Sequence, residues 1–533
     1  MLSLYVFRAR GSLNAKLAAI PLALAAVAAF PGYAQAASSI WNGTTGNWSD
    51  ASRWTSNPFF PNNGTPIGTT YDVTISAGNV MRDVSPTIQS LTFFNGTLSG
   101  TGTLSILSTF SVSQDSTLGG TGAITTNALA LANFSLTMQD SVSLTATGTS
   151  TWSAVDAFPQ FVQLSPTNTF TNSGTFTLSP ADNSAWNGGI FSNSGTLIKS
   201  GNTSLFVASN FNNSGTVSVQ GGTLTLNFGT HSGAFSTSPG VPSAALIFTG
   251  TNTFNAGASV TGNATFADAA DLNNSVLSGS LNFMAATTVN GTSTLNTSKL
   301  SIGGTTTLNI PVASTGTLTI EGSTNAWTGQ LDLKSNAMVV RPTAANKATA
   351  LATLQNQVNF GHNNGTAGAW TGLGITSSTV AANATTGAAT LTVALADNAD
   401  LKYTSFRGAT VDANSLIVAT VHLADANLDN KVDSFDLNLL AAHWQQLSGA
   451  LWSAGDFNGD GRVDSFDLNI LAANWQFGVG GGALGASFEA ALAQFPQLGA
   501  VAVPEPGSLA VLVPAVLWLV RRRRGRGEAA RPR

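Results

Sequence analysis

Apolar and polar residues alternate in short runs over most of this chain, and the runs break at Asn, Ser and Gly. Three units recur: FTNSGTF at 170–176, FSNSGTL at 191–197 and FNNSGTV at 211–217, with a looser relative, FFNGTLSGTGTL, at 93–104. The aligned asparagines Asn172, Asn193 and Asn213 are about 20 residues apart. Each unit is an apolar residue, an Asn-Ser-Gly turn, then alternation such as Thr175, Phe176, Thr177, Leu178. Alternation with period two predicts half-buried strands, and the Asn and Gly are expected to supply positive φ at the turn. A period near 20 made of strands and turns matches one coil of a solenoid. A single coil cannot bury its apolar face, whereas stacked coils share a core. Stacked asparagines are then expected to bond along the axis as ladders. A string of β-sandwiches would show turns every ~8–12 residues without a 20-residue echo. The prediction is a mainly β protein: an elongated right-handed-type parallel β-solenoid over 37–342.

The pattern changes at both ends of that body. Trp41, Trp48 and Trp54 open it, and such a cluster closes the end of a solenoid core, where a cap is required. Rows of Trp also suit sugar faces, and that role remains the lesser reading. In the solenoid end, 343–420, Leu351, Leu354 and Val358 fall at helical spacing and predict one short helix. Further on, Leu437, Leu440, Trp444 and Leu468, Leu471, Trp475 repeat the i, i+3, i+7 pattern, so two more helices are expected. Neither is preceded by a helical stretch.

Charge alters the picture. Only 9% of residues are charged and 43% are hydrophobic, against roughly 25% charged in an ordinary soluble chain. There is no cysteine and there are four histidines, so thiolate chemistry is excluded and a His-rich zinc site has little to draw on. The N-terminus places Arg8, Arg10 and Lys16 before the apolar run 17–30 and then Ala34-Gln35-Ala36, the order of a secretory signal peptide, 1–36. The C-terminus runs Pro504-Glu505-Pro506, an apolar stretch 508–520 and Arg521 to Arg524. That order resembles the PEP-CTERM sorting tail, 503–533. The resemblance implies an apolar C-terminal helix in the membrane before processing, and an exosortase-type enzyme that removes it. Without 1–36 and the part of the tail beyond Pro506 the chain loses ten of its 21 basic residues and one of its 25 acids, Glu528, leaving a net charge of about −13. An acidic product argues against nucleic acid as partner.

Catalysis has little to build on in the long body. Polysaccharide lyases and glycoside hydrolases need converging carboxylates with separated pKa values. Residues 39–419 hold 14 acids, with Asp268 and Asp271 a close pair. In the polar turn ADAADLNNS these read as Asx caps. His231 and His362 have no carboxylate nearby in sequence. No catalytic residue is assigned.

The chain's acids gather elsewhere. DANLDNKVDSFDLNLLAAHW begins at Asp425 and DFNGDGRVDSFDLNILAANW at Asp456, and the two segments hold eight of the 25 acids. Loop positions 1, 3, 5, 9 and 12 are Asp425, Asn427, Asp429, Asp433 and Asp436, then Asp456, Asn458, Asp460, Asp464 and Asp467. This is the oxygen spacing a hard cation needs, with the carbonyls of Lys431 and Arg462 at position 7. Position 6 wants positive φ: Gly461 provides it and Asn430 is the next best residue. Asp stands at position 12 where EF-hands carry Glu. Loop then helix, twice, with VDSFDLN shared verbatim, resembles the dockerin type I module. That resemblance implies two calcium ions, a near two-fold pair of helices, and recognition of a cohesin through Ser434-Phe435 and Ser465-Phe466; these phenylalanines also suit a place in the core. GAWTGLGITSSTVAA and SFRGATVDANSLIVATVHLADANLDNKVD, with the Trp-rich start, resemble exported planctomycete-type surface proteins with autotransporter-like β-helices.

The expected order is signal peptide 1–36, solenoid 37–342, solenoid end 343–420, calcium module 421–478, linker 479–502 and sorting tail 503–533. The expected protein is exported, sits at the cell surface or in the matrix, and is structural rather than enzymatic. The rival is a carbohydrate-active enzyme or glycan binder that uses its dockerin for complex assembly, with extracellular polysaccharide as its partner.

Overall fold

The computed structural model describes residues 35–132, 135–153, 158–241, 243–362, 369–384, 390–479 and 487–498. The expected signal peptide up to Ala34, the apolar run 508–520 and the rest of the sorting tail lie outside the described residues. Among those described, no helix is long and apolar enough to cross a membrane.

The alternating runs are strands. In Thr175–Ser179, Phe176 and Leu178 are buried while the threonines between them stay half-buried. Identical alternation in successive coils brings apolar faces together, and the coils stack in parallel. Among the described residues one sheet of 35 strands results, parallel but for two strands at its C-terminal end, and it forms a parallel β-solenoid. Three ladders run its length. The first joins Ala37–Ile40 to Tyr71–Ile75 and continues through Thr175–Ser179, Thr196–Lys199 and Thr216–Val219 to Ala337–Val340. The second starts at Thr45–Asn47 and ends at Val312–Ile320; the third runs from Thr87–Ile88 to Gly374–Thr376.

The recurrent units fall in register. Phe170 pairs with Phe191 and Phe191 with Phe211, and Asn172, Asn193 and Asn213 align beside them. The phenylalanines form a spine with ring centroids 4.9 and 5.1 Å apart. The asparagines form the predicted ladder: Asn172 Nδ2 donates to Asn193 Oδ1 at 2.7 Å, and Asn193 Nδ2 to Asn213 Oδ1 at 2.7 Å. Its start is abrupt, because the preceding coil puts Ala146 in register with Asn172, whose Oδ1 has no partner. Beyond Asn213 the position is taken by His231, whose Nε2 pairs with Asn252 Oδ1 at 3.0 Å. A second ladder, Asn273, Asn290 and Asn309, with bonds of 2.8 and 2.7 Å, has no matching sequence echo.

The turn glycines need a different explanation from the one expected. Gly174, Gly195 and Gly215 are not among the residues with positive φ. A Cβ on Gly195 would instead lie 2.0 Å from the Gly174 carbonyl oxygen, and one on Gly215 2.0 Å from that of Gly195. Stacking pitch, not a left-handed backbone, excludes a side chain there.

Both ends of the body are closed. Trp41, Trp48 and Trp54 are buried at the N-terminal end, with Trp48 Nε1 donating to Pro61 O at 3.0 Å. The predicted short helix is α1, Lys347–Gly361, and it packs Leu354 and Val358 inward. It is followed by α2, Ser378–Ala384, α3, Asn398–Leu401, and then, past the solenoid, α4, Ser434–Ala442, α5, Ser465–Ala473, and α6, Phe488–Leu492. The last ladder strand, Ala337–Val340, pairs antiparallel with Leu416–His422, which also pairs antiparallel with Leu391–Asp397. The run LIVATV is buried on both faces. Leu416 and Val418 join the solenoid core, whereas Ile417, Ala419 and Val421 join a second core with Leu437, Leu440, Leu468 and Leu471. This strand is a party wall, so the Asp-rich module is built onto the solenoid's end. The expected linker 479–502 contributes too: α6 brings Ala491, and Leu498 beyond it is buried in the second core.

Candidate metal centre

The two Asp-rich segments fold alike. In each, the position-9 aspartate caps a helix: Asp433 Oδ1 accepts from Phe435 N and Asp464 Oδ1 from Phe466 N, both at 2.8 Å. The position-12 aspartate completes a capping box by accepting from the cap residue's own N–H, Asp436 from Asp433 at 2.8 Å and Asp467 from Asp464 at 2.9 Å. The position-1 carboxylate holds the turn. Asp425 accepts from the N–H groups of Asp429 and Asn430, and Asp456 from those of Asp460 and Gly461. Position 6 is left-handed in both, with φ 65° at Asn430 and 82° at Gly461. What precedes each loop is not an α-helix: strand Leu416–His422 enters the first and a single 3-10 turn, Trp452–Ala454, the second.

The helices follow from that capping. α4 buries Leu437 and Leu440, α5 buries Leu468 and Leu471, and both end before Trp444 and Trp475, which lie half-buried just beyond. The halves exchange backbone bonds about a pseudo-two-fold. Gln445 N donates to Val463 O and Val463 N to Gln446 O; Gln476 N donates to Val432 O and Val432 N to Phe477 O. The residues after each helix thus pair with position 8 of the other loop.

Burial makes these carboxylates unusual. Asp425, Asp436 and Asp467 are fully buried and Asp456 nearly so. Among the described residues, no ion pair involves any of the four. Burial pushes the Asp425 carboxyl up to about 7, that of Asp436 up to about 8 and that of Asp456 up to about 6, and raises that of Asp467. Backbone N–H groups oppose the rise and neighbouring carboxylates add to it, Asp429 on Asp425 and Asp425 on Asp436. Buried like charges that no side-chain cation neutralises are what a divalent cation would compensate.

Carboxylates alone do not make the shell: among the described residues no three His, Cys, Asp or Glu come together as one metal cluster. The donor set still fits a hard cation, because Asn427, Asn458 and main-chain carbonyls are oxygen donors of the right kind. Asn427 and Asn458 lie beside the position-5 carboxylates, Asn427 Nδ2 being 3.2 Å from Asp429 Oδ2 and Asn458 Nδ2 3.2 Å from Asp460 Oδ2. Lys431 and Arg462 donate their own N–H groups to Asp429 and Asp460.

Phe435 and Phe466 do not enter the core; each is 68% exposed. Both helix starts offer the same pair, a Ser and an uncovered Phe, at two-fold related places. Sequence reasoning missed the residues that tie the first loop to its surroundings, one on the body and one ahead of the second loop. Tyr403 Oη donates to Asn427 O at 2.7 Å and Trp452 Nε1 to Asp425 O at 2.6 Å. The Tyr403 hydroxyl is pushed up to about 12, by burial first and then by Asp429, Asp425 and Asp436. Trp452 had a visible signal, a lone Trp four residues ahead of the second loop; Tyr403 had none.

Outside the module, Asp268 accepts the N–H of Gly250 at 2.7 Å, a turn cap, while Asp271 is exposed on its strand. His231 is buried among phenylalanines, and the His362 ring lies tilted against Trp370 with centroids 4.8 Å apart.

The chain thus combines a parallel β-solenoid with a doubled Asp loop–helix unit at its end. The family model of the dockerin type I domain matches residues 423–474, and this segment is a dockerin type I domain. Such domains bind calcium and typically bind cohesin domains, which points to an extracellular or cell-surface protein and to complex assembly. No curated protein and no solved structure matches the chain.

Proposed function

We propose that this is an exported surface or matrix protein that uses its solenoid as a rigid spacer and its dockerin, folded around two calcium ions, to dock onto a cohesin-like partner. The observation that carries the reading is the pair of two-fold related loops. Each buries its position-1 and position-12 aspartates with no Lys or Arg paired to them among the described residues and presents an exposed Phe beside them. Asp425, Asn427, Asp429, Lys431 through its carbonyl, Asp433 and Asp436 would hold one ion. Asp456, Asn458, Asp460, Arg462 through its carbonyl, Asp464 and Asp467 would hold the other. Bound calcium would neutralise the buried carboxylates and fix the helix starts that carry Ser434-Phe435 and Ser465-Phe466. In this reading 1–36 directs export and 503–533 is a PEP-type sorting signal processed by an exosortase-type enzyme.

The test is fractionation of the producing cells. The full chain and a chain lacking 504–533 are each followed in surface and medium, with and without EGTA. The tail-less chain is expected to stay on the surface in calcium, and to be released by EGTA and by Phe435→Ala with Phe466→Ala. Retention that ignores both treatments would sink the docking reading. Calorimetry that finds a stoichiometry other than two would sink the two-ion reading.

A further inference from the structure

A groove of about 560 Å³ runs along the flank of the solenoid near its C-terminal end. One wall is made by three successive coils, strands Val276–Phe283, Thr294–Ile302 and Val312–Ile320, in register at Val276 with Thr294 and Asn296 with Ser314. The other wall is the hairpin of Ser405–Phe406 with Ala409–Thr410. Two arginines face the groove, Arg341 just past the last ladder strand and Arg407 at the hairpin tip, and no Asp or Glu lines it.

Neither arginine has a carboxylate partner. The ion pairs among the described residues join Arg53 to Asp50, Lys334 to Asp332 and Lys347 to Asp397. Arg341 donates through Nη2 to Asn296 Oδ1, which also accepts from Ser314 Oγ at 3.0 Å. Arg407 makes only long contacts, 3.4 Å to Ser335 O and 3.5 Å to Thr420 O, with its guanidinium 5.2 Å from the centre of the Phe406 ring. Asp425 is the one carboxylate whose field reaches Arg407, from its buried place beyond ion-pair distance. A guanidinium carries five donors in a planar fork suited to carboxylate or sulfate oxygens. Here most of those donors are unspent, in a protein that is otherwise short of cations.

The remaining lining selects among anions. Thr292, Thr294, Asn296 and Thr410 present hydroxyl and amide groups, and Val276, 52% exposed, offers a small apolar contact. Because the groove crosses the coils, such groups recur along it at the ~4.8 Å strand spacing. The space is that of a ligand far larger than an inorganic ion. A peptide would normally bind by adding a strand to a free edge, but the three coil strands of the groove are already paired on both sides, and the hairpin opposite offers an edge only two residues long. From this we infer that the groove binds an acidic polysaccharide lengthwise, with Arg341 and Arg407 gripping its carboxylate or sulfate groups and the Thr and Asn side chains its hydroxyls.

The experiment is binding of the full chain, in calcium, to oligogalacturonate, dextran sulfate, neutral dextran and polyglutamate. Binding of at least one of the two acidic saccharides is expected, with none to dextran and weaker binding to polyglutamate. Preference between the first two tells carboxylate from sulfate. Arg341→Gln with Arg407→Gln should lower the affinity at least about tenfold, equivalent to ~1.4 kcal/mol, at an unchanged melting temperature. Arg341→Lys with Arg407→Lys, which keeps the charge but not the fork, should fall between. The inference is overturned if neither acidic saccharide binds, if the Gln variant binds as well as the parent, or if dextran or polyglutamate binds equally. The calcium ligands are untouched in every variant, so this result stands or falls apart from the docking reading.

Discussion

Replacing Asn193 by Ala tests whether the asparagine ladder holds the coils together. Asn193 is the middle rung: it accepts from Asn172 Nδ2 and donates to Asn213 Oδ1, and its Nδ2 also reaches the carbonyls of Gly195 and Thr216 at 3.2 Å. The alanine removes the two ladder bonds, about 1 kcal/mol each, together with the longer shared contacts to the two carbonyls, and strands the buried Asn213 Oδ1, which costs about 1–3 kcal/mol more. The expected loss is therefore ~3–5 kcal/mol. The end rung should matter less. Asn172→Ala breaks one ladder bond and orphans Asn193 Oδ1, but it also deletes an acceptor that is buried without a partner, which offsets part of the loss and leaves ~1–3 kcal/mol. Stacked repeats couple mainly to neighbours, so a whole-chain midpoint is not the right observable. Hydrogen exchange at Thr196–Lys199 and Thr216–Val219, with Trp186 fluorescence in denaturant, reads the affected coils. The ladder reading would be refuted if Asn172→Ala cost as much as Asn193→Ala, or if both cost under about 0.5 kcal/mol.

Chelating calcium should destabilise the C-terminal third, by about 2.7 kcal/mol for each of the two ions relative to calcium at a hundred times its dissociation constant. Because the second core includes Ile417, Ala419 and Val421, amides of Leu416–His422 should lose protection as well, and Asp425→Ala with Asp456→Ala should abolish the calcium response; an unchanged melt refutes ligation. Burial brings the His231 imidazole down to about 4, so it stays neutral in the fold while the unfolded chain takes up its proton near 6.5. Its stability contribution is present above pH 6.5 and is lost as pH falls towards 4, by up to ~3 kcal/mol. His231→Asn should flatten that loss in denaturant melts at pH 7 and 4.5, and an equally steep loss in the variant would contradict the assignment. Trp48→Ala should cost ~3–5 kcal/mol and expose amides of Ala37–Ile40 and Tyr71–Ile75 while sparing the coil of Phe170. Uniform loss along the body would speak against a local cap.

Much of this protein was legible before its coordinates. Period-two alternation dictates a strand whatever its neighbours, and a 20-residue echo leaves stacking as the way to bury the apolar face, so Phe170, Phe191 and Phe211 had to meet. The Asp loops were equally readable, since spacings of two to five residues are set by local backbone geometry. The same locality explains α4 and α5, whose caps lie within the loops. Tertiary structure decided the rest. Whether Gly195 is needed for φ or for room depends on where the next coil's carbonyl lies, and only stacking places it 2.0 Å from a Cβ. Phe435 and Phe466 are apolar residues at helix starts, and whether they face core or solvent depends on how the two halves pair across the pseudo-two-fold. The run LIVATV announced burial but not that each face would belong to a different core. Tyr403 meets Asn427, and Arg341 shares a groove with Arg407, across separations that no local pattern encodes. Local rules set strands, turns and loop ligands; which surfaces stay open was settled by what the fold stacked against them.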